Sequence, residues 1–98
     1  GGVGMRVDLL LKNLCLVRTR SLASRGCQSG SIKVNGAQTK PSREIRDGDV
    51  IEIRYPDRVL VIEIETIPRG QVSKKDRTEY FRTVRETPIH SDGGGWNA

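Results

Sequence analysis

Two dipeptides, Asn35-Gly36 and Asp47-Gly48, punctuate the middle of this chain, and each is followed or flanked by short segments in which apolar and polar residues alternate. Asn-Gly is the pair that a type I′ hairpin turn demands, because both central residues must adopt positive φ. Around it, "SIKVNGAQTK" reads as strand, turn, strand, with Ile32 and Val34 facing one way and Lys33 the other. Pro41 lacks the N–H that an interior strand needs, so the second arm ends before it. After Asp47-Gly48, the runs Val50 to Arg54 and Val59 to Ile67 predict further strands. The middle of the chain is therefore a small sheet of several short strands.

The segments before it have a different period. Val7, Leu10, Leu11 and Leu14 fall at helical spacing, which predicts a short amphipathic helix over 7–14. Thr19 is placed to cap a second helix running to about Gln28, with Leu22, Ala23 and Cys27 on one side, Arg20, Ser24 and Gln28 on the other, and Arg25 toward the boundary. Gly26 weakens that helix by about 1 kcal/mol relative to alanine. Gly30 can end it in a left-handed conformation. Downstream, "SKKDRTEYFRTVRE" predicts a C-terminal helix over 73–86, with Ser73 as N-cap, Asp76 as its capping partner, Tyr80, Phe81 and Val84 as the apolar stripe and Pro88 past its end. Such a helix covers an open face or edge of the sheet, docking to a partner being the other reading. The expected fold is α+β: two N-terminal helices packed on a small, mostly antiparallel sheet, with a C-terminal helix.

A chain of 98 residues with 35% hydrophobic residues suffices for one core. The expected organisation is a flexible N-terminus or expression remnant over 1–5, a core over 6–54, a strand and helix over 55–87 that complete the same domain, and a flexible tail over 88–98. The longest apolar runs, "LLLKNLCLV" and "RVLVIEI", are too short and too interrupted to cross a bilayer, and no signal peptide is expected. A cytoplasmic location is the expectation. Cys15 and Cys27 are expected as reduced, buried thiols, and the single His90 cannot complete a zinc set with them, so neither metal nor cofactor is expected. "IHSDGG" lies in the glycine-rich tail, which cannot hold groups with the precision catalysis needs, so no catalytic residue is assigned and no enzyme is expected.

Charge is the strongest functional signal. The net charge is +5, but from Arg6 to Arg43 there are eight basic residues against the single acid Asp8, while the remainder is mildly acidic. Such polarisation within one small domain points to a one-sided surface for a polyanion. With aromatics at 4%, the chain lacks a stacking platform for single strands, which favours folded RNA read through its shape and phosphates.

The order of the pieces is itself informative. "RVD" at Arg6 to Asp8, "TRSLA" entering the second helix, "GSIKVNG", "KPS" and "GDVIEI" together resemble the RNA-binding domain named after ribosomal protein S-four, from about Arg6 to Arg54. Where that family usually has lysine and then an aromatic after the aspartate, this chain has Leu9 and Leu10, and Ser24 stands where arginine is common. The short strand, "PRG", "SKK" and the Tyr-containing segment ending in "ETP" resemble the compact, ribosome-associated heat-shock type. The resemblance implies the αL-motif fold. It also implies binding to the large ribosomal subunit carrying a stalled nascent chain and peptidyl-tRNA, in ribosome rescue or nascent-chain quality control.

The residues expected to hold RNA are Arg6, Arg20, Lys33 and Lys40 for charge, with Arg18 and Arg25 adding to it. Thr19, Ser21 and free backbone N–H groups at the start of the second helix offer short donors. Asn35 is a minor contact, since its turn already explains it, and Ser42 flanks Pro41 beside Lys40. Asp8 is a support that caps a helix or orients Arg6; a pairing with Asp8 is also the bland reading of Arg20. The expected partner is structured RNA, rRNA or tRNA, held by a monomer away from membranes. The rival readings are a ubiquitin-like interaction or carrier module, suggested by "DGDVIEI", and a free-standing RNA-gripping accessory of an RNA-modifying enzyme.

Overall fold

The computed structural model describes residues 4–89. The chain opens with a two-residue strand, β1 (Met5–Arg6), that runs directly into helix α1 (Val7–Asn13) and, after a bend, helix α2 (Arg20–Ser29). Strands β2 (Ile32–Val34), β3 (Ala37–Gln38), β4 (Glu44–Ile45), β5 (Val50–Arg54), β6 (Arg58–Ile64) and β7 (Phe81–Pro88) follow, with a 3-10 turn over Arg77–Glu79. A five-stranded antiparallel sheet has the order β3-β2-β5-β6-β7, and β1 pairs separately with β4.

The helices form as the apolar spacing predicts. Val7, Leu10, Leu11 and Leu14 are fully buried, as are Ala23 and Cys27 of α2, and they pack on Ile32, Ile51, Ile53, Ile62 and Ile64 of the sheet. Thr19 caps α2 through its hydroxyl oxygen, which accepts from the Leu22 N–H at 3.1 Å. Helix α2 continues through Gly26 to Ser29 and ends at Gly30, whose φ of 85° is the left-handed cap. The Asn35-Gly36 turn has both residues at positive φ, 52° and 82°.

The C-terminal helix does not form. Ser73 and Asp76 do make their capping pair, with Ser73 Oγ 3.1 Å from Asp76 Oδ2 and the Asp76 N–H 3.2 Å from Ser73 Oγ, but it heads only a turn and the 3-10 segment. Phe81–Pro88 is instead the edge strand β7, paired with β6. Two forces decide this. Thr83, Val84 and Thr87 are β-branched, and without β7 the second edge of β6 would be unpaired. The register shifts between Val61 and Ile62, so that Val84 is the surplus residue of a bulge and is 47% exposed. Phe81, part of the imagined helical stripe, enters the core from the strand.

The pairing also extends past the expected start of the tail. Pro88 is the last residue of β7, and the Ile89 N–H donates to the Asp57 carbonyl at 2.9 Å. His90 and the glycine-rich "SDGGGWNA", with the carrier reading that depends on them, lie outside the described residues.

Candidate nucleic-acid interface

Asp8 organises the basic surface. It sits in the first turn of α1 and is 3% exposed, yet it keeps its charge. Burial works against ionisation, but hydrogen bonds from Arg6, the Leu9 N–H and Arg20 outweigh it and hold the carboxyl below its usual range. Arg6 grips it with two donors, Nε to Oδ1 at 2.8 Å and Nη2 to Oδ2 at 2.9 Å. Arg20 Nε reaches the same Oδ2 at 3.3 Å, and the Leu9 N–H reaches Oδ1 at 2.7 Å. Both arginine side chains remain nearly half exposed, at 43% and 49%. One buried carboxylate therefore fixes two guanidinium groups side by side and leaves their other N–H groups for a ligand. The pairing of Arg20 with Asp8 is real, but it positions the arginine without neutralising the pair.

The backbone brings more of the expected residues to the same place. The Val7 and Asp8 N–H groups donate to the carbonyls of Arg43 and Pro41, at 2.8 and 3.3 Å, so the loop carrying Lys40 and Ser42 is docked against the start of α1. Thr19 and Ser21 flank Arg20 at the start of α2. There, the Leu22 and Ala23 N–H groups are taken by Thr19, while those of Arg20 and Ser21 have no partner among the described residues. Arg25 is exposed more than a turn farther along α2.

Three expected residues lie elsewhere. Lys33 sits between Ile32 and Val34, whose side chains enter the core under the helices, so it projects from the opposite face of the sheet, in register with Glu52 on β5. Asn35 is committed to the fold: its Nδ2 donates to Asp49 Oδ1 at 3.2 Å and its Oδ1 accepts from the Val50 N–H at 3.0 Å. Arg18 lines a groove with Lys12, Arg58 and Lys74, three residues that the sequence alone gave no reason to group, because they come from separate segments.

The thiols differ. Cys27 is fully buried, and that burial pushes its pKa up to about 11. Cys15 is partly exposed, and its thiol donates to the Val72 carbonyl at 3.1 Å. Among the described residues no cluster of histidine, cysteine or carboxylate is composed to hold a metal ion, and no helix is long and apolar enough to cross a membrane.

Comparison with known proteins agrees with this geometry. Residues 5–51 match the S4 domain. A protein of Halalkalibacterium halodurans named RQC P-site tRNA stabilizing factor is 32% identical over 85 residues, covering 87% of this chain and 96% of its own length. A protein of the same name from Helicobacter pylori is 37% identical over 78 residues, covering 79% of this chain and 93% of its own. The trimeric structure of Heat Shock Protein 15 from Vibrio cholerae superposes with a TM-score of 0.77 at 28% identity, covering 84% of this chain and 83% of that one. With the arginine pair, the α2 cap and the Asn-Gly hairpin all inside the matched region, the chain belongs to the S4-domain family, among the small proteins that carry the name RQC P-site tRNA stabilizing factor.

Proposed function

We propose that this protein is a non-catalytic RNA-binding factor of ribosome quality control, which grips structured RNA, P-site tRNA or the rRNA around it, on the large ribosomal subunit. The observation that carries this reading is the Asp8-held pair of Arg6 and Arg20, with unpartnered N–H groups at the start of α2 beside it. Two forks fixed on one buried acid suit phosphate oxygens, which each guanidinium can meet in pairs. Lys40 and Ser42 extend the surface from the docked loop, and Arg25 extends it along α2. The names of the relatives supply the ribosomal setting.

Recognition runs through phosphates and shape. Tyr55 and Phe81 are buried in the core, and Tyr80 packs against it, so none of them offers an open stacking face. The protein works as a monomer in the cytoplasm. Its exposed edge strand β7 carries a bulge, Arg82, Arg85 and Glu86, features that discourage pairing with a second sheet.

The test is binding of a labelled tRNA, and of large subunits carrying peptidyl-tRNA, to Arg6→Ala, Arg20→Ala and the double variant. Each single substitution is expected to weaken binding about tenfold, and affinity is expected to fall steeply with salt. Arg20→Lys recovers only part of the loss, because it restores charge without the fork. Unchanged affinity in a folded double variant, or affinity indifferent to salt, overturns the reading.

A further inference from the structure

A second basic feature lies at the other end of α1. Lys12 in the last turn of α1, Arg18 in the bend before α2, Arg58 at the start of β6 and Lys74 line a groove of about 390 Å³, with no carboxylate in the lining among the described residues. Lys12 lies six residues beyond Arg6, about 9 Å along the helix axis at the usual rise, so the groove adjoins the Asp8-centred surface without sharing its arginines.

The groove is held open by specific bonds. The Val72 N–H donates to the Asn13 carbonyl at 2.9 Å, the Cys15 thiol donates to the Val72 carbonyl at 3.1 Å, and Arg77 Nη1 donates to the Cys15 carbonyl at 2.9 Å. These bonds pin the segment that carries Lys74 against the end of α1. Of the four lining cations, only Arg58 is paired with acids, Asp57 at 3.0 Å and Glu86 at 2.8 Å. Lys12 Nζ meets the neutral amide of Gln71 at 2.9 Å, and Arg18 and Lys74 have no partner among the described residues. Three cations without an acid partner among the described residues thus line one groove, a setting that favours an anion.

The floor says which part of an anionic polymer fits. Tyr55 Oη is spent on the Leu16 carbonyl at 2.6 Å, and Arg58 covers its ring at 4.2 Å from the centroid. Leu16 and Val17 complete an apolar base. Gln71 is the one side-chain amide in the lining among the described residues, its Oε1 taken by Lys12, and no ring there is open for stacking, so the groove suits phosphates more than bases.

We propose that this groove is a second phosphate-binding site, in which Lys12, Arg18 and Lys74 take a further stretch of RNA phosphodiester backbone. The inference rests on the RNA-binding reading but uses different residues, so the two can fail separately. The test compares Arg18→Ala/Lys74→Ala with Arg6→Ala/Arg20→Ala, each verified as folded by thermal melting, in binding a tRNA transcript across a salt series. The groove variant is expected to bind about tenfold more weakly at low salt, with the slope of log affinity against log salt reduced by about 2, one for each cation. The charge-conserving Arg18→Lys/Lys74→Arg variant keeps both. In the unsubstituted protein, a short unstructured oligouridylate is expected to shift the amide resonances of Arg18 and Lys74, and uridine monophosphate at equal phosphate concentration is not. An unchanged slope in the groove variant, with binding lost in the Arg6/Arg20 variant, overturns the inference and leaves the main reading standing. Unchanged binding in both variants overturns both. Equal shifts with uridine monophosphate also overturn it, since they identify a mononucleotide site.

Discussion

Replacing Asp8 with asparagine separates charge from geometry. The substitution raises the net charge from its value of +5 by one, so an affinity governed by charge alone would increase. The structure demands the opposite. Asp8 accepts four hydrogen bonds, two from Arg6 and one each from Arg20 and the Leu9 N–H. An asparagine has one acceptor oxygen and turns an NH₂ group toward donors, so it cannot hold both forks. Freed into water, each arginine must be ordered again when RNA binds, at a cost of about two- to tenfold in affinity for each such side chain. The expected net result is about tenfold weaker binding to a tRNA transcript at fixed ionic strength, measured by fluorescence anisotropy. Stability should fall by about 1–2 kcal/mol, because charged hydrogen bonds are lost at a nearly buried site while the arginines can still turn to solvent. For a domain of this size that is a drop of about 5–15 °C in Tm. Equal or tighter binding by a folded Asp8→Asn protein would refute the argument that Asp8 positions the arginines.

Burial of Cys27 makes the fold sensitive to alkali: its folded pKa of about 11 lies above the value of 9.0 for a free thiol, so stability is intact below about pH 9 and declines as pH rises toward 11. The Cys27 part of the loss amounts to about 2–3 kcal/mol and should be absent in Cys27→Ala, whose remaining decline begins only near pH 10, where the buried Tyr55, its pKa also raised by burial, contributes; urea titrations at several pH values separate the two. Phe81→Ala should cost about 3 kcal/mol, whereas Val84→Lys should be near neutral, because the bulge leaves Val84 half exposed; denaturant titration of the two variants separates the strand from a helix, in which both residues would lie on the buried stripe. Asn35→Ala should lower stability by about 1–2 kcal/mol through its lost bonds to Asp49 and Val50 while leaving tRNA affinity within about twofold, and a larger loss of affinity in the folded variant would make Asn35 a genuine contact.

The parts of the fold legible in the sequence are those set by local period and turn chemistry. Leu10, Leu11 and Leu14 announce α1, Thr19 announces the start of α2, and Asn35-Gly36 announces the hairpin, each through a rule that spans only a few residues. The C-terminal segment misled because two local signals were true but short-ranged. Ser73 and Asp76 do form a capping pair, and Tyr80 and Phe81 do face the core. What settles the conformation of 81–88 is the unpaired edge of β6, a neighbour distant in sequence, and the bulge at Val84 interrupts the alternation by which a strand would have been read. The two-residue pairing of β1 with β4 was beyond any period, since two residues cannot display one.

The candidate site divides along the same line. Arg6, Thr19, Arg20 and Ser21 are legible because short motifs place them at helix starts, and the start of a helix fixes its own geometry. Lys33 shows how far alternation goes: opposing it to Ile32 and Val34 is correct, but which face the helices cover is a tertiary fact, and it sends Lys33 away from Arg20. Arg18 is expected to add charge to the RNA surface, and the bend places it in a groove with Lys12, Arg58 and Lys74. Among the described residues the one buried acid holds two arginines at fixed positions, whereas Lys12, Arg18 and Lys74 of the groove have no acid partner there. On that division, substitutions at the Asp8 site should be sensitive to the exchange of arginine for lysine, and substitutions in the groove should not.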